Sequence, residues 1–518
     1  MSFKQYSDYM GELSSDEIFE GLLGHGLFAE KMPPVFTSQP FFDWCKTQNE
    51  KTFADKQAKK KEEYYGKDYI RYDNMRNINI PRPLAIPNPI AYRNQCKAIS
   101  DSWEDLKTHF RGKTDKQTHK ISRIHIRKLE DKKHLFEMNY KHYSKDDLDI
   151  ENELSVGARF VAKADISNCF PSIYTHSIPW ALVRKEEAKQ KQGEQHEYFN
   201  KLDKFTRNLK FGETHGILIG PHSSNLISEI VLTSVDFKLG EKGYKYIRHV
   251  DDYSCFVESH EKAEQFLLEL SSELKQYELT LNHKKTKISE LPLASVEHWV
   301  NKMSSFCFSQ IKDSKGKVYI THKELKSYLD LAIELLHETG NTSVIKYAIK
   351  VISKSALKEH SQKYYFKRIH HLLLLYPYLV TLLDEFVFQK LAIKKTEIEK
   401  LSQSLFELGL TKQLYEAASY ALFFALKHNF QITIKGGLFD KAKESDDCVF
   451  LLLSYLHDKR NSNKVPDYQE LAGEKNEGGF DRYWLFVYEV LGKNELNEPY
   501  KSMKSNGVSF VRSFLSGQ

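Results

Sequence analysis

The sequence predicts an α+β sheet domain followed by an all-α helical region. Up to about residue 300, short apolar strands alternate with amphipathic helices, the pattern of a sheet covered by helices. Farther along, apolar residues recur with helical period, for example Leu325, Leu329 and Ala332. Eleven of the 14 prolines precede residue 300 and only three follow it. We therefore expect two domains, residues 1–300 and 301–518.

The composition is that of an ordinary globular protein and excludes some functional classes. Of the 518 residues, 41% are hydrophobic and 28% are charged. The six cysteines are far apart and lack metal-ligand spacing, which argues against a zinc module and a disulfide framework. No apolar window is long enough to cross a membrane, and the first residues lack the apolar run of a signal peptide. We expect a cytoplasmic protein with no membrane contact.

The N-terminal 70 residues begin with a helix signal, because Ser14 can cap the helical spacing that starts at Ile18. Residues 51–65 are rich in Lys and Glu and predict an exposed helix. Four prolines between residues 78 and 89 then predict an extended run.

Residues 111–133 form a basic stretch. They contain nine Lys or Arg residues against three acidic residues, an excess that equals the net charge of +6 of the whole chain. Such a concentration is typical of proteins with a polyanionic partner, although a solvated surface helix or hairpin is the commoner explanation of any one charge run. Within the stretch, residues 120–127 predict a strand-like arm with a cationic face.

An adjacent acidic pair, Asp251 and Asp252, lies between two short runs of β-branched and aromatic residues within 246–257. This pattern predicts two strands that meet at a tight turn, with both carboxylates at its tip. Two neighbouring anions repel each other, so a structure that holds them together usually needs a cation. For an isolated pair, a turn that simply faces solvent is the commoner explanation.

A second segment favours the cation. The apolar strand Phe160–Ala164 delivers Asp165 at its end, and Phe170 follows five residues later. Two-metal phosphoryl transfer needs carboxylates from separate strands that converge on ions about 3.5–4 Å apart. A ligand set of oxygens alone suits Mg²⁺, with Mn²⁺ as an alternative. We therefore expect Asp165 to meet Asp251 and Asp252 at a divalent-metal site.

These segments resemble the motifs of reverse transcriptases in order and spacing. Asp165–Phe170 resembles motif A, and His249–Asp252 resembles motif C. Gly216–Asn225 lies where motif B is expected, and Leu281–Ile288 is similar to motif D. The resemblance covers about residues 155–290, the palm, and implies a fingers and palm fold with polymerase activity.

Longer strings resemble one branch, the AbiK-like abortive-infection reverse transcriptases of bacteria and prophages. The strings are Tyr174–Trp180 and Glu213–Gly216, and Leu218-Ile219 replaces the Pro-Gln of ordinary templated enzymes. This resemblance implies a C-terminal HEAT-like domain, a homo-oligomer (trimer or hexamer) and antiphage defence in the bacterial host cytoplasm. It also implies DNA synthesis from dNTPs without a template, primed by a tyrosine that stays covalently attached to the single-stranded product.

The resemblance implies roles for individual residues. Metal binding falls to Asp165, Asp251 and Asp252, and Phe170 would exclude a ribose 2′-hydroxyl. Lys285, with Lys284 as an alternative, would face the departing pyrophosphate. The loop and helix start beneath the nucleotide would comprise Gly220, Ser223, Ser224 and Asn225.

Two further assignments rest on less specific patterns. Charge pattern alone makes Arg123, with Lys120 or Arg127, the candidate for holding the triphosphate. For the priming tyrosine, the candidates in polar stretches are Tyr65, Tyr6 and Tyr9.

Three other functions stay open. A templated reverse transcriptase partnered by a structured RNA is the nearest, and Leu218-Ile219 counts against it. A catalytically silent scaffold that binds a phage or host protein would tolerate loss of the aspartates, yet all three are present. A metal-dependent nuclease would use carboxylates but would not need Phe170 or the ordered motifs.

Overall fold

The computed structural model describes residues 6–58, 61–76, 80–123, 135, 150–294, 297–309, 311–312, 316, 318–391, 393–461 and 465–513. Most of the basic stretch after residue 123, including Arg127, therefore lies outside the described residues. In the described part, no helix is long and apolar enough to span a membrane.

The N-terminal part comprises five helices and two β-hairpins. The helices are α1 Tyr6–Gly11, α2 Ser15–Leu23, α3 Gln39–Cys45, α4 Pro89–Asp101 and α5 Trp103–Thr114. The strands are β1 Lys56–Ala58, β2 Lys61–Glu63, β3 Tyr69–Asn74 and β4 Arg82–Pro87. β3 and β4 pair antiparallel over their whole length. Helix α2 begins with the capping box expected at Ser14, in which Ser14 and Glu17 bond each other's backbone N–H groups.

Of two sequence predictions for this part, one agrees with the structure and the other does not. The proline-rich run is extended, as β4, until Asn88 caps α4. Residues 51–65, however, do not form the predicted helix: a 3₁₀ turn, Glu50–Phe53, leads into the β1–β2 hairpin. The reason lies in Phe53, which is buried against Trp44 and so fixes the chain where an exposed helix would leave it outside.

The central part is a four-stranded antiparallel sheet in the order β6-β7-β5-β8, covered by helices. Its strands are β5 Phe160–Asp165, β6 Lys245–His249, β7 Asp252–Val257 and β8 Lys287–Glu290. Its helices are α6 Ile150–Ser155, α7 Cys169–Ser172, α8 Ser177–Val183, α9 Lys185–Gln190, α10 Tyr198–Asn208, α11 Ser223–Glu241 and α12 His260–Lys275. α11 is apolar nearly all round because it is buried in the core between the sheet and α5.

The basic arm adds to this sheet. Arg248 in β6 donates its backbone N–H to Ile121 O, at 2.9 Å, and Arg123 returns a backbone bond to Arg248 O, at 2.8 Å. Residues 121–123 thus run parallel to β6 at the sheet edge. Residues 279–288 alternate in the sequence in the way that predicts a strand, but the observed strand is shorter: Asn282–Lys285 makes a turn, and β8 starts at Lys287.

The C-terminal region, residues 298–513, is helical apart from one small sheet. Its helices are α13 His298–Ser304, α14 His322–Thr339, α15 Ser343–Ile352, α16 Glu359–Leu375, α17 Lys395–Thr411, α18 Tyr415–His428, α19 Leu438–Ser445, α20 Cys448–Arg460, α21 Val465–Glu477, α22 Phe480–Val490 and α23 Tyr500–Ser505. Three short strands, β9 Ile311–Lys312, β10 Val318–Ile320 and β11 Ala356–Leu357, form the sheet, which the sequence did not predict. HEAT-like packing of these helices stays a prediction.

The C-terminal region closes back on the N-terminal part. Asp481 of α22 accepts hydrogen bonds from the Asp68 backbone and the Asn88 side chain, at 3.1 and 2.8 Å. Asn88 also donates to the Tyr500 hydroxyl at 2.7 Å. Glu416 of α18 accepts from the Asn74 side chain and the Met75 backbone at the end of β3. The β3–β4 hairpin is therefore fixed by residues that follow it by more than 300 positions.

Candidate active site

The predicted aspartates meet at one end of the central sheet. Asp165 ends β5 and lies opposite Asp252, the first residue of β7. His249 also pairs with Asp252, so Val250 and Asp251 form a two-residue turn between β6 and β7. The backbone N–H of Ile166 donates to Asp251 O at 3.1 Å and ties this turn to the end of β5. The strand pairing thus brings the two sequence segments together.

The turn itself is strained. Val250 has φ 58°, a left-handed conformation that a β-branched residue rarely adopts, at a cost of about 1–3 kcal/mol. The Arg248 guanidinium donates a 2.7 Å hydrogen bond to Val250 O. This bond stabilises the conformation that places Asp251 at the tip.

Arg248 is wholly buried between two carboxylates. It bonds Glu229 at 2.7 and 3.1 Å, and Asp236, its second partner on α11, at 2.6 and 2.9 Å. Ser122 donates to Glu229 at 2.9 Å. Burial alone would lower the pKa of Arg248, but the two carboxylates outweigh it and raise that pKa well above its ordinary value. The guanidinium therefore stays charged and links the acidic turn to α11.

The electrostatics of the three aspartates fit a divalent cation. Burial, followed by the charges of Asp251 and Asp165, raises the pKa of Asp252 to about 6. Burial also raises the pKa of Asp251, with a further contribution from Asp165. The carboxylate oxygens of the three aspartates do not all lie within 4.8 Å of one another, so the site is not closed around a single ion. Cations would relieve the repulsion that raises these pKa values.

Asp165 is held by the Asn282–Lys285 turn, which precedes β8. Asn282 donates to it at 3.0 Å, and the Lys285 ammonium forms a 2.7 Å ion pair with it. The same ion pair raises the pKa of Lys285. The Lys285 side chain is otherwise 62% exposed, so it can turn toward a ligand beside the aspartates. Lys284, the alternative, is exposed on the same turn, where its backbone bonds Asn282.

The two loops predicted to lie beneath a nucleotide contact each other. Phe170 is half-buried on α7 and accepts a 2.9 Å backbone bond from Ile217. Gly216 has φ 81°, and a Cβ there would lie 2.5 Å from Pro171 O. Only glycine permits this close approach of the two loops.

The same loop meets the β3–β4 hairpin. Gly220 has φ 135°, and a Cβ there would lie 2.7 Å from Ala85 O of β4. Ala85 also donates its N–H to Ile219 O at 2.8 Å. Farther on, Ser223 and Ser224 are buried at the start of α11, whereas Asn225 is half-buried. The two serines are therefore covered by protein, and Gly220 and Asn225 are the members of this set that are partly exposed.

Comparison with known families agrees with this arrangement. Residues 92–326 match the family model described as reverse transcriptase (RNA-dependent DNA polymerase). The match covers less than half of the chain and supports a reverse transcriptase domain over these residues. No curated protein matches the chain. The match supports a nucleotidyltransferase of the polymerase type, which uses divalent ions such as Mg²⁺.

A cationic side chain that the sequence analysis missed lies near the acidic turn. Arg82 of β4 lies within electrostatic reach of Asp251, and each acts on the pKa of the other. The predicted Arg123 acts instead on Glu151 and His119, beside the sheet edge. No local pattern in the sequence marks Arg82, which begins β4 and meets Asp251 through the packing of the hairpin.

The three candidate tyrosines differ in exposure. Tyr6 stacks on Phe110 in the core and is 1% exposed, and Tyr9 is also buried, so neither lies in the polar stretch that the sequence suggested. Tyr65 is 48% exposed and donates a 2.5 Å hydrogen bond to Glu63. Among the tyrosines that the structure describes, Tyr65 is the one whose side chain is exposed.

Proposed function

We propose that the chain is a DNA polymerase that joins deoxynucleotides by two-metal phosphoryl transfer. The observation that carries this proposal is the meeting of Asp165 with Asp251 and Asp252 at the end of one sheet, inside a reverse transcriptase domain. In the proposal these aspartates hold Mg²⁺, with Mn²⁺ as an alternative. When bound, the ions activate the attacking hydroxyl and neutralise the pyrophosphate.

The chain's own residues have the remaining roles. Lys285 leaves Asp165 and donates a proton to, or neutralises, the departing pyrophosphate. Arg82 approaches the triphosphate from the β3–β4 hairpin, a role that the sequence analysis gave to Arg123. Phe170 lies under the sugar and excludes a 2′-hydroxyl, so that dNTPs are preferred. Gly220 permits the close approach of its loop to Ala85 of β4, which brings the Arg82-bearing hairpin to the loop that lies beneath the nucleotide in this proposal.

We propose further that synthesis proceeds without a template. Leu218 is buried, and Ile219 packs against the core while its carbonyl bonds Ala85. No polar side chain at these two positions is available to orient a template base. The resemblance to abortive-infection reverse transcriptases supports the same conclusion, together with antiphage defence, a bacterial cytoplasmic location and assembly as a trimer or hexamer.

Tyr65 is the proposed priming nucleophile. Its exposed hydroxyl is available to a second reactant, and Glu63 beside it raises its pKa through a hydrogen bond. In that bond the carboxylate is placed to accept the phenolic proton as the hydroxyl attacks. The first nucleotide would then be linked to the protein through a phosphotyrosyl ester.

The first test uses nuclease-treated protein, Mg²⁺ and one labelled dNTP at a time, followed by denaturing gels with and without protease. We expect label that migrates with the protein and is released as DNA by protease. Asp251→Asn should lower the rate of incorporation at least about 10²- to 10³-fold because it removes one anionic metal ligand. Tyr65→Phe should remove the protein-linked label, and Tyr64→Phe, a change of its half-buried neighbour, should not.

The alternatives have distinct outcomes. Incorporation only after addition of RNA and a free primer would establish templated synthesis and reject self-priming. A folded protein that incorporates no label under either condition would favour a scaffold.

A further inference from the structure

Four cations lie where the β3–β4 hairpin meets the C-terminal region. This basic row consists of Arg82, Arg76, Lys31 and Lys346. Asn74, which pairs with Arg82, and Met75, next to Arg76, both donate to Glu416 of α18, and Tyr420 of the same helix donates to Lys31 O. Arg82 lies within electrostatic reach of Asp251, and Arg76 and Lys31 lie within reach of Arg82. Lys31 in turn acts on Lys346 of α15. The row therefore crosses from the β3–β4 hairpin to the C-terminal region.

The row is accessible and carries an excess of positive charge. Arg82 and Lys346 are half-buried, whereas Lys31 and Arg76 are exposed. Among the residues that the structure describes, no carboxylate forms an ion pair with any of the four. Partial burial of the charged groups, followed by repulsion from neighbouring cations, lowers the pKa values of Arg82, Lys31 and Lys346, and the nearby Glu416 carboxylate opposes this for the two lysines. Like charges held together in this way gain most from a ligand with several negative charges.

Both halves of the chain hold the row in place. The Tyr420 hydroxyl of α18 donates to Lys31 O at 3.3 Å. Glu416, one turn earlier on α18, bonds the β3 end from which the chain continues to Arg76. The Lys346 ammonium lies 4.6 Å from the centre of the Tyr378 ring, which orients it. The four charges therefore sit on supported elements, which is what a binding site requires.

We propose that the basic row binds the phosphate backbone of a single-stranded nucleic acid as it leaves the active site. This inference rests on the proposed polymerase function. A free triphosphate would engage Arg82 beside the aspartates, but it would leave Lys31 and Lys346 without a ligand. A growing strand carries one phosphate per nucleotide and can follow the row into the C-terminal region.

The test measures strand binding without catalysis. A fluorescein-labelled oligothymidylate is titrated with the full-length protein without Mg²⁺ or dNTP, and its anisotropy is followed over a range of salt concentrations. Replacing two cations, Lys31→Gln with Lys346→Gln, should reduce the slope of log affinity against log salt by about 1.4, because each single-strand phosphate contact contributes about 0.7. In about 0.1 M salt this corresponds to a roughly 25-fold loss of affinity.

Two controls separate charge from folding. Lys326→Gln removes an exposed lysine of α14 outside the row and should leave the affinity unchanged. Lys31→Arg with Lys346→Arg keeps both charges and should retain the wild-type slope, whereas a defect in folding would not depend on charge. Thermal melts of all variants check that each is folded.

Two results would overturn the inference: a double Gln variant with the wild-type slope, or a polyglutamate peptide that competes as well as the oligonucleotide. The polymerase proposal fails separately. If the protein binds the strand through the basic row but never incorporates dNTP, the polymerase proposal is rejected and the proposed binding site is retained. If the protein incorporates dNTP but does not bind the strand, the binding site is rejected and the polymerase proposal is retained.

Discussion

Two β-hairpins supply charge to the active site, and a buried carboxylate anchors each of them in a different way. Beneath the β6–β7 turn, Glu229 and Asp236 accept five hydrogen bonds from the Arg248 guanidinium. At the end of β3, Glu416 accepts bonds only from neutral groups, the Asn74 side chain and the Met75 backbone.

This difference changes how the two anchors respond to pH. Burial raises the pKa of Asp236 and the Arg248 guanidinium opposes that rise, whereas a buried carboxylate that faces only neutral dipoles has no cation to oppose it. Burial accordingly raises the pKa of Glu416 to about 7. The aspartate-bearing turn is therefore fixed by an ion network, and the Arg82-bearing hairpin is attached by a contact whose strength changes near neutral pH.

The largest effect should follow from breaking the ion network. Arg248→Met leaves two buried carboxylates uncompensated and should lower the free energy of unfolding by about 3–5 kcal/mol. Denaturant unfolding measures this loss. Arg482→Met removes an exposed ion pair with Asp68 and should cost at most about 1 kcal/mol.

Arg248→Lys tests whether the network also positions the catalytic turn. It keeps the charge but loses the fork that reaches Glu229, Asp236 and Val250 together. We expect a folded protein that needs a higher Mg²⁺ concentration for half-maximal incorporation. An unchanged Mg²⁺ dependence in a folded Arg248→Lys protein would limit Arg248 to a structural role.

The arrangement around the acidic turn could largely be predicted from the sequence. Alternating apolar residues around Asp165 and Asp251 indicated strands, and strands of one sheet must place their ends together. Helix α12 is likewise marked in the sequence, because Ala263, Phe266 and Leu270 recur with helical period and are the residues that it buries. These predictions rest on local patterns, which the fold keeps because they agree with the burial of the same residues.

The junction of the β3–β4 hairpin with the C-terminal region could not be predicted in this way. Glu416 contacts Asn74 across 342 positions, and no local pattern marks a buried glutamate that lies within an otherwise ordinary helix. Tyr6 follows a polar N-terminus in the sequence, yet it is buried because α1 packs on α5. Arg82 was missed for the same reason: its neighbour Asp251 becomes visible only when the hairpin is placed over the sheet.

A second prediction concerns the pH response of the Glu416 anchor. The folded pKa of about 7 lies above the ordinary value of 4.5, so the folded protein binds more protons than the unfolded chain between these values. The contribution of Glu416 to the free energy of unfolding is therefore largest below about pH 4.5 and decreases as the pH rises through 7. From about pH 5.5 to 8 the loss should be about 2 kcal/mol.

Glu416→Gln should remove this pH-dependent component. The difference in unfolding free energy between wild type and variant isolates it from Asp447, whose buried carboxyl also has a raised pKa of about 6. Relative to wild type, the variant should become more stable by about 2 kcal/mol as the pH rises over that interval. Glu407→Gln, on the exposed face of α17, should show no such trend. A difference that stays constant with pH would mean that Glu416 is as well compensated as the carboxylates beneath the acidic turn.

The smallest effect should come from the other contact of the β3–β4 hairpin, at Gly220. An added Cβ would meet Ala85 O at 2.7 Å and would also suffer the cost of φ 135°, so Gly220→Ala should push the hairpin, and Arg82 with it, away from the acidic turn. Gly212→Ala is the matched control, because Gly212 has φ 85° but open space where its Cβ would lie. We expect Gly220→Ala to cost about 1 kcal/mol more in unfolding free energy than Gly212→Ala, and to raise the KM for dNTP where the control does not. If the two alanine variants match in both measurements, the hairpin takes its position from the Glu416 side alone, and the pH-sensitive anchor becomes the one that controls the distance between Arg82 and Asp251.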